Sequence, residues 1–339
     1  MKRSDCNNYW VTIAVPVYNV ENYLERCARS LFYQSYKNIK YYFVNDGCTD
    51  GSLDVLTRVV DEFPQRKPYV KIHSFHENKG LANVRNYLVE HCTTDWIIHV
   101  DSDDWIELDF VDHLVNKQKI TGADIVMSGH VHHYHDEIRK FEPNECGLKS
   151  DYLKLFLSNI QAHHIWGKLI RHSLYMEHSI RVTKNCVIAE DLQAFIPLAY
   201  YAEHFAVLHE YGYHYEHDRM DRISVKSRER VREKGMGMID TLSSVRSFVC
   251  DKMPDNLRLF DNNISLYYYV EFITLALVFG EKDLHREMCQ KEKDLIRMYP
   301  SMHGNLVGNL KRRVKYNYRL SHPLMWLKWQ IQPYKEYGG

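Results

Sequence analysis

Residues 96–104, with the sequence WIIHVDSDD, join a nearly all-apolar run directly to an acidic cluster. A short continuous apolar run of this kind is typical of a strand that is covered on both faces. The acidic residues Asp101, Asp103 and Asp104 then stand at the carboxyl end of that strand. The fold prediction is built outward from this segment.

Three further apolar, β-branched runs precede it, and stretches with helical spacing separate them. The predicted strands cover residues 10–17, 41–44, 70–75 and 96–100, and residues 123–134 could add another. Strands that alternate with helices predict an α/β fold, here a doubly wound, Rossmann-like and mostly parallel twisted sheet flanked by helices. In such sheets, ligands bind beyond the carboxyl ends of the strands.

The pattern changes from about residue 228, where helical spacing continues without clear strands through residues 236–249 and 262–279. We therefore predict a catalytic domain over residues 1–225 and a helical C-terminal region over residues 226–339. Residues 301–334 carry basic residues and no acidic ones, with apolar residues recurring every four positions and two Trp following. This pattern is typical of a basic amphipathic helix, for which we expect weak binding to an anionic membrane surface.

Polar residues cluster at three predicted strand ends, which indicates one composite site. In extended backbone, Asp101 and Asp103 would project to the same side, roughly 6.6 Å apart at about 3.3 Å per residue. Oxygen ligands favour Mg²⁺ or Mn²⁺, and Asp104 offers a third carboxylate. The sequence thus predicts a divalent metal site at Asp101, Asp103 and Asp104.

In order, these pieces resemble the family 2 glycosyltransferases of the GT-A fold, over residues 11 to about 225. The matching motifs are Val15-Pro16-Val17-Tyr18-Asn19, Val44-Asn45-Asp46-Gly47, Asn78-Lys79-Gly80-Leu81 with Arg85, Asp101-Ser102-Asp103-Asp104, Trp166-Gly167-Lys168-Leu169 and Glu190-Asp191-Leu192. Asn45 and Gly167 depart from the residues most frequent in the family.

The resemblance implies a role for each motif on the donor side. Pro16, Tyr18 and Asn19 correspond to the loop beneath the nucleotide, and Asp46 to the acidic residue that accepts the imide N–H of the base, usually uracil. Arg85 corresponds to a nucleotide contact. Asp103 is the first choice for direct metal contact, with Asp101 or Asp104 assisting or binding ribose. Arg219 and Arg222 could reach the diphosphate.

On the acceptor side, Asp191 corresponds to the general base of an inverting transfer, with Glu190 as its nearest competitor. Adjacent residues point to different faces, so one of the two is expected to support structure. The implied function is transfer of a hexosyl or N-acetylhexosaminyl group from a nucleoside diphosphate sugar, UDP-linked by preference. The acceptor would be a saccharide or lipid-linked saccharide of a bacterial cell-surface polysaccharide.

Two alternatives stay open: a polyprenyl-phosphate sugar synthase, and a catalytically silent nucleotide-binding module. A dehydrogenase is disfavoured because no G-x-G-x-x-G follows the first strand. Lys plus Arg and Asp plus Glu are equal at 44 each, so the net charge gives no indication of nucleic-acid binding. The histidines His130, His132, His133 and His135 lack the Cys or acid spacing of a zinc site.

The eight Cys are scattered singly, which fits a reducing compartment. The N-terminus lacks an apolar signal-peptide core, and the most apolar run is too short to span a bilayer. We therefore expect a cytoplasmic protein, peripheral at the inner face of the plasma membrane.

Overall fold

The structure is a computed structural model that describes residues 9–159, 162–184, 186–217 and 228–298. The chain forms two compact units. Of the described residues, the first unit contains 9–156, 162–184, 186 and 190–217, and the second contains 157–159, 187–189 and 228–298.

A single mixed sheet organises the first unit. Its strands within the described residues are β1 (Val11–Val17), β2 (Ile39–Asn45), β3 (Val70–Ser74), β4 (Trp96–His99), β5 (Trp105–Ile106), β6 (Ile125–Tyr134), β7 (Glu137–Phe141), β8 (Lys168–Arg171) and β9 (Phe205–Glu216). They lie in the order β3-β2-β1-β4-β8-β6-β9-β5, and β7 pairs with β6.

The sheet has a parallel half and a mixed half. Strands β1 to β4 pair in parallel, as predicted from their apolar runs. Strand β8 then runs antiparallel to both β4 and β6, β6 is parallel to β9, and β5 is antiparallel to β9. Every residue of β1 and β4 is buried, and for β4 this confirms the prediction of a strand covered on both faces.

Helices flank this sheet and occur between its strands along the chain. In chain order they are α1 (Glu21–Phe32), α2 (Ser52–Asp61), α3 (Leu81–Glu90), α4 (Phe110–Thr121), α5 (Lys149–Leu157), α6 (His172–Glu177) and α7 (Glu190–Tyr201). The apolar faces of α1, α2 and α4 contribute Leu24, Leu31, Leu56 and Leu114 to one core with the inner strands. Apolar burial of this kind stabilises by about 25 cal/mol per Å² removed from water.

The second unit is helical in its described part. It contains α8 (Arg228–Lys252), α9 (Leu257–Phe260), α10 (Leu266–Phe279) and α11 (Lys282–Met298), with a π-helical turn over Asp261–Ser265. The predicted helical C-terminal region is thus confirmed for residues 228–298. The basic segment at residues 301–334, Arg219 and Arg222 lie outside the described residues. No helix in the described ranges is long and apolar enough to cross a membrane.

Pro16 lies inside β1, which is unusual for a strand with a neighbour on either side. Pairing between β1 and β4 ends at Ala14, while pairing with β2 continues to Val17. Pro16 therefore faces only one neighbouring strand. Beyond it, β1 and β4 diverge at the carboxyl edge of the sheet, where the predicted site residues follow.

Candidate active site

The acidic cluster after β4 is a turn. Residues 101–104 are closed by a hydrogen bond from the Asp104 N–H to the Asp101 carbonyl oxygen at 3.1 Å. The expectation of extended backbone at Asp101 and Asp103 was therefore wrong, because this i to i+3 bond is the mark of a β-turn. The chain reverses here and enters β5, which pairs with β9.

The Asp104 side chain is fully buried, whereas Asp101 and Asp103 are partly exposed. Its Oδ2 accepts a hydrogen bond from the Tyr213 hydroxyl at 2.6 Å, and its Oδ1 accepts one from the Glu216 N–H at 2.9 Å. Burial, followed by the charges of Asp103 and Asp101, raises the pKa of Asp104 well above its ordinary value. Both carboxylate oxygens of Asp104 thus accept hydrogen bonds that anchor the turn to β9, and its role as a metal ligand stays a prediction.

Asp101 and Asp103 form the partly exposed side of the turn. The Asp101 side chain is 23% exposed, and its backbone N–H donates to the Tyr213 hydroxyl at 3.2 Å. The Asp103 carbonyl accepts a hydrogen bond from Arg26 Nη2 at 3.2 Å. Among the described residues, no three His, Cys, Asp or Glu side chains form a group that could hold a metal ion. The donor set therefore fits a divalent cation only as two carboxylates, with waters and substrate oxygens supplying the other ligands.

Arg85 on α3 connects this turn with the predicted base. Its side chain is 4% exposed, its Nη2 donates to Asp101 Oδ1 at 3.1 Å, and its Nη1 donates to Asp191 Oδ1. Glu190 Oε1 lies 3.6 Å from Nη2. Burial alone would lower the pKa of Arg85, but the carboxylates of Asp101 and Glu190 raise it above its ordinary value. One buried guanidinium thus gathers three carboxylates.

Glu190 and Asp191 are the first two residues of α7. Carboxylates are favoured there because the helix dipole leaves partial positive charge at its N-terminus. Both side chains reach the same guanidinium although the two residues are adjacent in sequence. That one of them supports structure stays a prediction. Their side chains are 16% and 21% exposed, so both stay accessible to a small group.

Asp46, the predicted nucleobase residue, is held at the end of β2 by backbone donors. Its Oδ1 accepts from the Lys79 N–H at 2.7 Å and its Oδ2 from the Gly80 N–H at 3.0 Å, just before α3. Burial raises the pKa of Asp46, although these two donors act in the opposite direction. Because a carboxylate has about four lone-pair sites, it can still accept a further hydrogen bond.

Gly47 explains how the loop after β2 comes so close to the loop before α3. Its φ is +68°, and a Cβ at this position would lie 2.7 Å from the Glu77 carbonyl carbon and 2.8 Å from the Asn78 nitrogen. Both the left-handed backbone and the close approach require glycine. Asn45, the departure from the family pattern, is used within the loops, because it accepts from the Cys48 N–H at 2.9 Å and donates to Ser74 Oγ at 3.2 Å.

The loop after β1 carries the other predicted nucleotide contacts. Tyr18 is 38% exposed, and Pro16 is buried within the strand. Asn19 has a φ of 47°, and its Oδ1 accepts a hydrogen bond from the Thr49 N–H at 2.9 Å. The loops after β1 and β2 are therefore tied together, as parallel neighbouring strands require for a shared site.

Tyr213 is the residue that the sequence did not single out. It is fully buried, it links Asp104 to the Asp101 backbone, and its ring stacks on Trp166 with 4.5 Å between centroids. Only the Tyr-rich character of residues 211–215 pointed to this strand. Asp104, which accepts a hydrogen bond from Tyr213, lies 109 residues away in sequence. The local sequence pattern therefore cannot reveal this contact.

The histidines of β6 and β9 pair with one another across the strands. His133 Nε2 lies 2.9 Å from His214 Nδ1, and His217 Nε2 lies 3.0 Å from His132 Nδ1. Burial lowers the pKa of His130 to about 3. His135 lies in the turn after β6.

Comparison with known proteins now identifies the class. A model described as Glycosyl transferase family 2 matches residues 12–191, more than half of the 339 residues, and the chain therefore belongs to glycosyltransferase family 2. Glycosyltransferase GlyA of Streptococcus pneumoniae is 41% identical over 120 residues, covering 35% of this chain and 16% of GlyA. Putative glycosyltransferase EpsH of Bacillus subtilis is 29% identical over 175 residues, covering 50% of this chain and 49% of EpsH. The chain thus spans half or less of these relatives' length.

Solved structures show the same fold. S. aureus TarS in complex with UDP-GlcNAc has a TM-score of 0.56 at 15% identity, covering 96% of this chain and 93% of that chain. Mannosyltransferase PcManGT from Pyrobaculum calidifontis, in complex with GDP-Man and Mn²⁺, has a TM-score of 0.54 at 12% identity, covering 96% and 88%. The predicted GT-A fold and the family resemblance are both confirmed.

Proposed function

We propose that this chain is a metal-dependent, inverting glycosyltransferase that moves a sugar from a nucleoside diphosphate sugar to a saccharide acceptor. One observation carries the proposal: Asp101 of the turn after β4 and Asp191 at the start of α7 meet at one buried guanidinium, Arg85. A donor-side carboxylate and a candidate base therefore belong to one site at the carboxyl edge of the sheet, where α/β sheets bind ligands.

On the donor side, Asp46 is proposed to accept the imide N–H of uracil, which favours a UDP-sugar. The complex of TarS with UDP-GlcNAc supports a uridine donor, although the complex of PcManGT with GDP-Man shows that another nucleotide fits this fold. Asp103, assisted by Asp101, would hold Mn²⁺ or Mg²⁺. Bound there, the cation would act as a Lewis acid towards the leaving diphosphate.

On the acceptor side, Asp191 is proposed to take the proton of the acceptor hydroxyl. As the hydroxyl oxygen bonds to the anomeric carbon, the bond from that carbon to the diphosphate breaks, and the configuration inverts. Base catalysis of this kind contributes typically 10²–10⁴-fold. In the ligand-free site, Arg85 Nη1 donates a hydrogen bond to this carboxylate.

The proposed acceptor is a saccharide or lipid-linked saccharide of a bacterial cell-surface polysaccharide. Relatives named hyaluronan synthase and minor teichoic acid biosynthesis protein GgaB support a polysaccharide setting. We further propose that residues 1–225 form the catalytic domain, and that the region after them holds the protein at the inner face of the plasma membrane.

A thermal-shift screen of nucleoside diphosphates, with and without Mn²⁺, tests the proposal. Ligand at a hundredfold excess over its dissociation constant should stabilise by about 2.7 kcal/mol. We expect UDP with Mn²⁺ to raise the melting temperature most, and Asp103→Ala to remove the metal-dependent part. An equal response to all nucleotides, with or without metal, would refute a specific donor site.

A further inference from the structure

We infer that a cluster of aromatic and histidine rings beside α7 is a subsite for the saccharide acceptor, where the rings bind the C–H face of a sugar unit. The members of this ring cluster are His132 and Tyr134 on β6, Phe141 on β7, Tyr215 on β9 and His217 directly after β9. All five stand outside the motifs to which the family resemblance assigns donor contacts. The inference rests on the proposed function and deepens it, because it assigns side chains to the acceptor.

The rings of the cluster contact one another across three strands. The centroid of the His132 ring lies 4.4 Å from that of Phe141 and 4.8 Å from that of Tyr215. The His217 ring lies 4.9 Å from both His132 and Tyr215, and it stacks on Tyr134 at 4.0 Å. Because residues two apart on a strand face the same side of a sheet, these contacts form one continuous surface.

The ring cluster is accessible to solvent. Phe141 is 39% exposed, and the other four members are half-buried. Beneath them lies Trp166, which is 6% exposed and stacks on Tyr215 with 5.2 Å between centroids. A single exposed apolar side chain is ordinary on a protein surface. Here the exposed ring is the outer end of a packed series of rings, so its orientation is fixed before a ligand binds, and this lowers the cost of binding.

A series of contacts joins the ring cluster to the helix of the proposed base. Trp166 stacks on His164, with 3.5 Å between centroids, and His164 Nδ1 lies 2.9 Å from Lys168 Nζ. Lys168 Nζ in turn stands 5.0 Å from the ring centroid of Phe195 on α7. Phe195 follows Asp191 by about one helical turn, or roughly 6 Å along the helix axis. A sugar bound at the ring cluster would therefore stand beside the helix that carries the base.

The ring cluster also adjoins the turn after β4. Trp166 stacks on Tyr213, whose hydroxyl accepts a hydrogen bond from the Asp101 N–H. Strand β6 pairs with β9 along one side, and along its other side with β8 at its start and with β7 at its end. Because β8 also pairs with β4, Phe141 on β7 lies on the side of β6 that faces β4. The ring cluster thus adjoins both the donor turn and the base helix.

The chemistry of the ring cluster suits a sugar. A pyranose presents faces of C–H groups and a rim of hydroxyls, so it binds surfaces that combine apolar rings with polar tips. Phe141 supplies an apolar face, and the Tyr134 hydroxyl and the imidazole nitrogens can donate or accept hydrogen bonds. Arg139 stands 5.0 Å from the Tyr134 ring centroid and pairs with Glu137 at 2.7 Å. This pairing balances the charge beside the cluster, which favours an uncharged sugar unit over a phosphate.

Saturation-transfer NMR with neutral oligosaccharides tests the subsite without a donor and without turnover. The probes are cellotriose, maltotriose and triacetylchitotriose at millimolar concentration. Irradiation of the aromatic protons of the wild type should transfer saturation to the C–H protons of at least one probe. Phe141→Leu should raise the dissociation constant of that probe by about 3–10-fold, the value of a lost ring contact. Phe141→Tyr should retain binding, because Leu keeps the apolar bulk but only Tyr keeps the ring.

Initial-rate kinetics with a saccharide acceptor and a UDP-sugar separate this role from a structural one. Phe141→Leu should raise the KM for the acceptor by about 3–10-fold and leave kcat within about twofold, because it removes binding that ground state and transition state share. The dissociation constant for UDP with Mn²⁺ should not change. Tyr69→Leu is the matched control: Tyr69 is 42% exposed, packs against one ring, Trp10, and precedes β3 at the opposite edge of the sheet. It should alter none of these quantities.

Three results would overturn the subsite: no saturation transfer to any probe, equal effects of Phe141→Leu and Tyr69→Leu, or an unchanged KM in an active Phe141→Leu enzyme. A change of molecular mass in solution on Phe141→Leu would also overturn it, since the exposed ring would then belong to a contact between copies of the chain. A wild type that turns over no nucleotide sugar but binds a probe through Phe141 would defeat the proposed function and leave a saccharide site standing.

Discussion

Arg85 and Lys168 are two buried basic side chains of the same unit, 4% and 3% exposed, and their surroundings are opposite. Three carboxylates surround Arg85, whereas Lys168 Nζ lies 2.9 Å from His164 Nδ1, contacts the His164 carbonyl and stands 5.0 Å from the Phe195 ring centroid. The carboxylates raise the pKa of Arg85, but burial lowers that of Lys168 well below its ordinary value. The neighbouring groups, and not the depth of burial, therefore decide the direction in which the pKa of each side chain shifts.

The largest expected effect concerns the carboxylates around Arg85. Asp191→Asn should lower kcat by 10²–10⁴-fold, the typical contribution of a general base. Glu190→Gln is the matched control, with an expected loss below about tenfold, because its carboxylate shares Nη2 with Asp101. The measurement is initial-rate kinetics with a UDP-sugar and a saccharide acceptor. Full activity in Asp191→Asn would instead favour a phosphate acceptor, as in polyprenyl-phosphate sugar synthases.

The two cations should respond differently to the same substitution. Arg85→Met should lower the free energy of unfolding by about 3 kcal/mol, since it leaves charges in the site without their partner. Lys168→Met should change it by less than about 1 kcal/mol, because burial already disfavours the charged form of Lys168 and an apolar chain of similar size replaces it. Urea unfolding compares them. Similar losses in both variants would show that Lys168 is charged after all.

Lys168 also predicts a dependence on pH. Its pKa in the folded protein lies below the 10.5 of an ordinary lysine, so the unfolded chain binds the additional proton between these two values. Stability should therefore rise with pH in that window, by up to about 1.4 kcal/mol per pH unit, and fall as the pH drops through it. The slope of unfolding free energy between pH 7 and pH 10 should be smaller in Lys168→Met than in the wild type. Parallel slopes would contradict a lowered pKa of Lys168.

An effect smaller than that of Arg85→Met is expected at Asp104, a buried acid that accepts hydrogen bonds from two uncharged groups, the Tyr213 hydroxyl and the Glu216 N–H. Tyr213→Phe removes the hydroxyl that donates to Asp104 and accepts from the Asp101 N–H. The free energy of unfolding should fall by about 1–2 kcal/mol, the cost of leaving buried groups unsatisfied. Phe110→Leu, which alters packing against the same ring without touching the hydrogen bonds, serves as control in calorimetry. If Tyr213→Phe lowers activity although the protein stays folded, the geometry of the turn affects the reaction directly.

Much of the parallel half of the sheet could be predicted from the sequence, because each of its inner strands is a continuous apolar run. Strands β5 and β8 could not be, since two and four residues are too few to show a period. Strand β9 has a mixed burial pattern with a register shift opposite Gly129, which obscures alternation. Recognition of the mixed half therefore depends on pairing between distant segments.

The order of the motifs along the chain identified the residues proposed for the site, but it did not show which role each residue has. Asp101, Asp103 and Asp104 are chemically alike in sequence, and only contacts with β9 separate the buried anchor from the partly exposed pair. The turn is formed by residues that are neighbours in sequence, but the prediction assumed extended backbone there and therefore missed it. The sequence also does not show that Glu190 and Asp191 reach Arg85.

The distance in sequence between Arg85 and Asp191 has a consequence for synthesis. With translation at about 5–20 residues per second, the 106 residues between them take roughly 5–20 s to emerge. Strands β1 to β4 and the turn after them are complete long before α7 leaves the ribosome. For that interval the nascent chain carries an Arg85 with Asp101 alone as its carboxylate partner. A nascent intermediate could therefore present the donor half of the site first, and the acceptor half would be added when α7 docks.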